Sequence, residues 1–395
     1  MNINNDRHND RHINRYNSRV FQAFGVSADS PEWNDWRWQF RNRICGADGL
    51  SRILDMSGAE QKGVAACLSR FRMAVTPYYA SLIDPRDPAD PIRMQSVPSD
   101  RETLVYPWEM PDPLDEEGAS PVKNIVHRYP DRALFLVTRQ CATYCRHCTR
   151  RRLVGEEDAA ITEGETEAAL DYIRRTPAIR DVLISGGDPL TLSDGRLEAI
   201  LSPLRNIGHV EIIRIGTRVP VTLPMRITPG LLATLKKYQP VWINTHFNHA
   251  RELTDESIQA CARIVDAGIP LGNQSVLLKG VNDSAGAIKE LMLGLVKARV
   301  RPYYLYQCDL IEGLDHFRTD VRTGIDIMRE LNGNISGFAI PTFIIDAPGG
   351  GGKIPLGPDY VVSVDDDSAV LKNYLGKTYS YPQPSHVQDS IKKFS

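Results

Sequence analysis

The sequence predicts an α/β protein: a parallel sheet closed fully or partly into a (β/α) barrel, behind a helical N-terminal extension. Three observations predict it. Short apolar runs recur from residue 133 onward. Amphipathic segments of helical length lie between them. Six or seven such units are too many for a small doubly wound sheet and suit a barrel. A chain of 395 residues is long enough to bury so large a core.

The elements follow in order. Residues 1–25 hold Arg7, Arg11, Arg15 and Arg19, many Asn, and the tandem repeat NDRH at 5–8 and 9–12. That composition buries little apolar surface, so a mobile tail or an arm on a partner is expected. Residues 26–125 form a helical and irregular region. Trp33, Trp36 and Trp38 lie in an amphipathic stretch, and Ser57 with Glu60 gives a capping box ahead of the run 63–73. Residues 77–121 are rich in Pro and Asp and predict irregular structure. The barrel core is expected over 126–350, and a C-terminal segment with a tail over 351–395.

Strands are predicted at 133–138, 182–185, 210–215, 241–245, 273–277, 302–307 and 340–346. Helices are predicted near 163–175, 194–206, 229–238, 254–267, 283–298 and 320–331. Fully apolar strands imply a parallel sheet covered by helices. Barrel chemistry gathers at the C-terminal strand ends. The loops to search are therefore 141–152, 186–190, 246–249, 308–318 and 346–357.

Composition narrows the class. Net charge is −2, which gives no sign of a nucleic-acid or membrane-surface protein. There is no apolar run of about 18 residues and no apolar signal segment at the N-terminus. Seven cysteines are too few and too unevenly spread for a disulfide scaffold. A cytoplasmic protein with reduced thiols is expected.

Three of those cysteines, Cys141, Cys145 and Cys148, share one short loop after the first strand. Soft thiolates in that spacing select zinc, Cu(I) or iron–sulfur. Structural zinc wants four ligands, and His147 is badly placed to be the fourth. Three ligands on a [4Fe–4S] cube leave one iron open. Three unreactive buried thiols are the plain alternative. The motif Ser185-Gly186-Gly187-Asp188 ends the next strand.

The last strand ends in Asp346-Ala-Pro-Gly349-Gly-Gly-Gly352-Lys353. It is not a phosphate-binding P-loop, which needs Gly at 347 and Ser or Thr at 354. A glycine linker is the plain reading. A flexible loop bearing one lysine suits pyridoxal phosphate (PLP), whose lysine must leave and return as substrate amine exchanges with it.

The CxxxCxxC loop after the first strand resembles the radical S-adenosylmethionine (SAM) superfamily. Longer stretches resemble the lysine 2,3-aminomutase family: HRYPDRALFL at 127–136, YCRHCTRRR at 144–152, VWINTHFNH at 241–249, LGNQSVLLKGVND at 271–283, RPYYLYQCDL at 301–310, GLDHFRT at 313–319 and DAPGGGGK at 346–353. The resemblance covers roughly residues 32–382. It implies a partial (β/α) barrel with a [4Fe–4S] cluster, SAM and PLP. It also implies an amino-acid substrate, a flavodoxin- or ferredoxin-type electron donor and a homo-oligomer.

The same resemblance assigns roles. Cys141, Cys145 and Cys148 would hold the cluster. Ser185, Gly186, Gly187, Asp188, His246 and Gln274 would contact SAM, although His246 and Gln274 could equally be core polar groups. Lys353 would hold PLP, with Arg128 and Arg132 at its phosphate and Tyr306 beside it. A surface ion pair is the plain reading of the two arginines, and ordinary core that of Tyr306. Arg150 would take the substrate carboxylate, since a planar guanidinium matches a carboxylate. Asp309 and Asp346 would hold a distal ammonium, because two acids at a barrel mouth repel unless a cation separates them. The activity implied is a 2,3-aminomutase on a basic amino acid, L-lysine to L-β-lysine. Arginine is the near alternative, and a PLP-independent radical enzyme or a non-catalytic iron–sulfur or zinc protein the distant one. Family members with structural zinc use a cysteine where this chain has Ser284 and a C-terminal cysteine cluster that residues 354–395 lack, so no zinc is expected. Cys45, Cys67, Cys261 and Cys308 are expected as buried thiols.

Overall fold

The computed structural model describes residues 17–154 and 159–384. The NDRH repeat lies outside the described residues. One sheet holds β1 (Ile125–Tyr129), β2 (Arg132–Thr138), β3 (Asp181–Gly186), β4 (Ile212–Gly216), β5 (Val241–Thr245), β6 (Leu271–Leu277), β7 (Arg301–Gln307), β8 (Thr342–Ala347) and β9 (Gly352–Leu356), in that order. β2 to β8 run parallel, each beside the next. β1 and β9 are antiparallel ends added as hairpins. Tyr129 Oη of β1 accepts the Lys353 backbone N–H of β9 at 2.9 Å, so the two ends of the ladder meet through one side chain. The α/β class and the barrel are as the sequence predicts. All seven predicted strands are present, their bounds within two residues.

The crossover helices span Glu163–Arg174, Asp194–Arg205, Pro229–Lys236, Asp255–Asp266, Ala285–Lys297 and Val321–Leu331. Each starts behind a Ser, Thr or Asp whose side chain accepts a backbone N–H of the first turn. They pack tightly on the sheet. A Cβ on Gly324 would lie 2.2 Å from the Phe343 ring, so this helix can sit so close only because that position is glycine.

One expectation changes here. The strands are apolar throughout only on the face beneath the helices; the other face mixes Leu134, Leu183 and Val276 with polar residues. Val182, Ile184, Ile213, Ile215, Val241 and Ile243 are buried beneath the helices. The alternate positions, among them Ser185, Arg214, Asn244, Gln274 and Tyr304, line an internal cavity. The barrel therefore holds a cavity where a filled (β/α) barrel holds layers of apolar side chains.

Two N-terminal expectations also change. Residues 18–24 of the expected tail form a helix, Ser18–Phe24, with Val20 buried and Gly25 closing it at φ 65°. Residues 77–121 carry short helices at Pro77–Ser81 and Pro91–Ser96 and a 3₁₀ turn at Asp100–Thr103. Proline opens both α-helices, where its missing N–H has no partner to lose. The capping box of Ser57 and Glu60 is present on Gly58–Leu68. Beyond the barrel, β10 (Val361–Val364), β11 (Ser368–Lys372) and β12 (Thr378–Pro382) form a small antiparallel sheet.

Candidate active site

A cavity of about 700 Å³ fills the barrel, and every predicted site residue lines it. Cys141, Cys145 and Cys148 sit on the loop after β2 and are not disulfide-bonded. Burial pushes the Cys141 thiol well up, with Asp188 and the other two cysteines adding to it. Burial and Cys145 push Cys148 up to about 11. Cys141 and Cys148 stay neutral unless a cation takes their protons' place. Among the described residues no three His, Cys, Asp or Glu side chains stand close enough to share one metal ion, the three thiols included.

The loop is held from beneath. Arg146, between two of the cysteines, is buried and forks onto Glu102 at 2.6–3.1 Å. Its Nη2 also reaches Cys67 Sγ at 3.4 Å, so Cys67 is a buried thiol with a structural contact. Cys45, expected to be buried, is exposed: Ile44, which bridges Val75, turns into the core, and alternation along the extended chain turns the next residue outward.

Gly186 and Gly187 end β3 against the start of that loop. Their added Cβ atoms would lie 2.3 Å from Thr138 O and 2.2 Å from Gln140 O. Glycine at both places lets β3 close on the cysteine loop, sealed by Gly187 N–H to Thr138 O at 2.6 Å. Asp188 lines the cavity, but its carboxylate is engaged by Thr217 Oγ1 and Arg218 N, both at 2.6 Å. Burial raises its pKa while those donors lower it. His246 follows β5. Burial, with Arg218 nearby, draws its pKa down to about 3, so it is neutral. Gln274 faces inward from β6.

At the other end of the cavity Lys353 stands on β9, directly across from Asp346 on β8. Its Nζ lies 2.8 and 3.0 Å from the two Asp346 oxygens and 5.1 Å over the Tyr306 ring. The flexible loop expected for this lysine is shorter than expected. The turn precedes it, with Gly349, Gly350 and Gly352 at φ 66°, 81° and 81°, and Lys353 itself is paired backbone to backbone. Asp309, after β7, accepts from Thr149 Oγ1 at 2.7 Å. Its pKa is raised to about 6, chiefly by burial with Asp346 adding to it, while Thr149, Lys353 and Arg150 oppose.

Arg150 forks onto Glu116 through Nε and Nη2 at 2.7–3.0 Å. Burial opposes the charge on Arg150, but Glu116 outweighs it and raises the pKa. Arg128 donates to Leu114 O. Arg132 pairs with Asp131 at 2.8 Å and lies 3.8 Å over the Tyr129 ring. Glu312, another acid of this region, pairs with Arg70.

Sequence reasoning missed Glu116, Glu102, Arg218 and Glu252. It also set His147 aside, yet His147 lines the same cavity. Arg218 alone had a usable signal: it follows β4 at the C-terminal end of the barrel, where functional residues gather.

Comparison with known proteins gives two family matches, to the radical SAM superfamily over residues 135–292 and to lysine-2,3-aminomutase over residues 328–393. An L-lysine 2,3-aminomutase of Clostridium subterminale is 54% identical over 367 residues, 93% of this chain and 88% of the relative. One from Bacillus subtilis is 52% identical, over 93% of this chain and 79% of the relative. The chain belongs to the lysine 2,3-aminomutase family. A glutamate 2,3-aminomutase of Clostridioides difficile is also similar, 45% identical over 95% of this chain and 88% of the relative.

As a member of the lysine 2,3-aminomutase family this chain is a radical SAM aminomutase, an isomerase. That superfamily implies a [4Fe–4S] cluster and SAM. The residues present fit both. Three free thiols on one loop line one wall of the cavity, the soft donor set that an iron–sulfur cluster takes. Around them Thr143 Oγ1, His147 Nδ1, Thr245 Oγ1 and His246 Nε2 are buried without a hydrogen-bond partner. Buried polar atoms seldom stay unpaired, so this wall of the cavity matches a polar ligand. No helix among the described residues is long and apolar enough to cross a membrane.

Proposed function

We propose that this aminomutase converts L-lysine to L-β-lysine with PLP held on Lys353. The observation that carries the substrate is the ammonium already in the site: Lys353 Nζ on Asp346, with the Asp309 carboxylate beside them. Two neighbouring carboxylates in a closed cavity need a cation, and a basic side chain supplies one. An acidic substrate would bring a third negative charge. Lys353 would hold PLP, and Asp346 would then be left to hold the substrate's distal ammonium.

The other roles are our assignment, supported by the shared cavity that these residues line. Cys141, Cys145 and Cys148 hold the cluster, and Ser185, Gly186, Gly187, Asp188, His246 and Gln274 wall the SAM side. Arg150 presents the guanidinium edge that Glu116 leaves open to the substrate carboxylate. Arg128 and Arg132 supply cations for the PLP phosphate, and Tyr306 lies under the Lys353 amine. When bound, cluster and SAM supply a 5′-deoxyadenosyl radical, and PLP carries the migrating nitrogen and spreads the unpaired electron. The chain's own residues bind, orient and keep water from the radical. A cytoplasmic homo-oligomer served by a flavodoxin- or ferredoxin-type donor completes the reading, in keeping with free thiols throughout.

The test is anaerobic turnover. Protein reconstituted with iron, sulfide, PLP, SAM and dithionite is offered lysine, arginine, glutamate and ornithine separately. β-Lysine is the expected product. β-Arginine in its place would move the substrate, and β-glutamate would overturn the acid-pair argument.

A further inference from the structure

We infer that Arg218 hydrogen-bonds a cluster-ligand sulfur, Cys145 Sγ, and sets the potential at which the cluster accepts its electron. The inference rests on the cluster assignment to Cys145 made above. Arg218 Nη1 lies 2.8 Å from Cys145 Sγ, the closest polar contact shown for any of the three thiols. The guanidinium is buried and cannot swing. Its Nη2 donates to Gln95 Oε1 at 2.6 Å, Glu252 Oε1 at 2.7 Å and Tyr79 Oη at 3.0 Å, and its Nε to His246 O at 3.2 Å. Glu252, itself fully buried, is fixed by the backbone N–H groups of Asn248 and His249 at 2.6 and 3.0 Å. The donor is therefore oriented by protein groups alone, and it fits as a group whose charge and hydrogen bond act on a ligand sulfur.

The physical consequence has a sign. Reduction adds one negative charge to the cluster. A buried cation and a hydrogen bond to a ligand sulfur favour the more negative state and raise the potential. Glu252, beyond the arginine, works against it. Removing the cation and removing the anion must move the potential in opposite directions, which no purely structural role would do.

The experiment uses full-length protein with reconstituted cluster, without SAM, in a redox titration followed by electron paramagnetic resonance. Iron and sulfide content report assembly separately. Arg218→Gln is expected to weaken reduction at least tenfold, about 59 mV downward for one electron. Glu252→Gln is expected to move the potential upward. Arg218→Lys, which keeps a cation without the fork, should fall between wild type and Arg218→Gln, and guards against misfolding of the glutamine variant. Unmoved potentials in variants that assemble the cluster would overturn the inference. So would loss of cluster in all three variants, since Arg218 would then serve assembly alone. Absence of a cluster from the wild-type protein would instead overturn the cysteine assignment.

Discussion

Asp346 and Lys353 face each other across the β8–β9 hairpin, carboxylate to ammonium at 2.8 Å. The glycine turn between them makes the pairing possible. It brings the chain back antiparallel so that residues seven apart in sequence become cross-strand neighbours. One pair thus joins the lysine assigned to PLP with an acid assigned to substrate. A cation leaving this position uncovers a carboxylate that Asp309 already crowds.

Asp346→Asn is therefore expected to damage lysine turnover severely. The variant keeps the shape of the site and loses the charge. Its kcat/KM for lysine should fall more than tenfold, a change of about 1.4 kcal/mol, while cluster content stays at wild-type level. Steady-state kinetics beside iron analysis measures this. A smaller fall would remove Asp346 from the substrate site.

Asp309 gives a pH prediction. Its pKa rises from 3.8 to about 6 on folding, chiefly through burial. A carboxyl raised in the native state stabilises the fold only while protonated. That contribution is complete below pH 3.8 and is lost as pH climbs through about 6. Binding an ammonium needs the ionised form, so kcat/KM for lysine should rise with pH and level off above about 6. Thr149 donates to Asp309 and holds its pKa down. Thr149→Val should shift the acid limb to higher pH. A limb that stays put or moves down would detach it from Asp309.

The sheet was legible because its signal is local. Strand β5 has the predicted bounds, residues 241–245, since its apolar run begins after Pro240 and ends in a polar loop. β1 and β9 were not legible. They are short, flanked by Pro or Gly, and owe their strand state to a neighbour in the hairpin. The cysteine loop and Lys353 stood out by spacing. Glu116 and Glu252 did not: each meets its arginine 34 residues away, and no period in the sequence links such positions.

Gly187 should not tolerate a side chain. A Cβ there would lie 2.2 Å from Gln140 O and 2.7 Å from Gln140 C, both backbone, one residue before Cys141. Gly187→Ala must push the cysteine loop from β3, at a cost of about 1–3 kcal/mol for overpacking. A lower Tm and reduced iron uptake are expected together. Normal Tm with full iron content would show that the loop can yield.

Glu116 sits where Arg150 needs a partner and is itself buried, so the two charges compensate each other. The carboxylate takes the Nε–Nη2 edge of the guanidinium, which leaves the Nη1 side for a second carboxylate. The segment around it reaches further: Leu114 O meets Arg128, and Pro113 O accepts the Gly349 N–H of the glycine turn. Glu116→Gln keeps one acceptor and the shape but loses the charge and one arm of the fork. Arg150 should then wander, and KM for lysine should rise about tenfold, near 1.4 kcal/mol, with kcat nearly kept. Lysinamide, which has no carboxylate to meet Arg150, serves as the comparison: its binding should hardly change. Tighter lysine binding in the variant would mean that Glu116 competes with the substrate for Arg150 and does not position it.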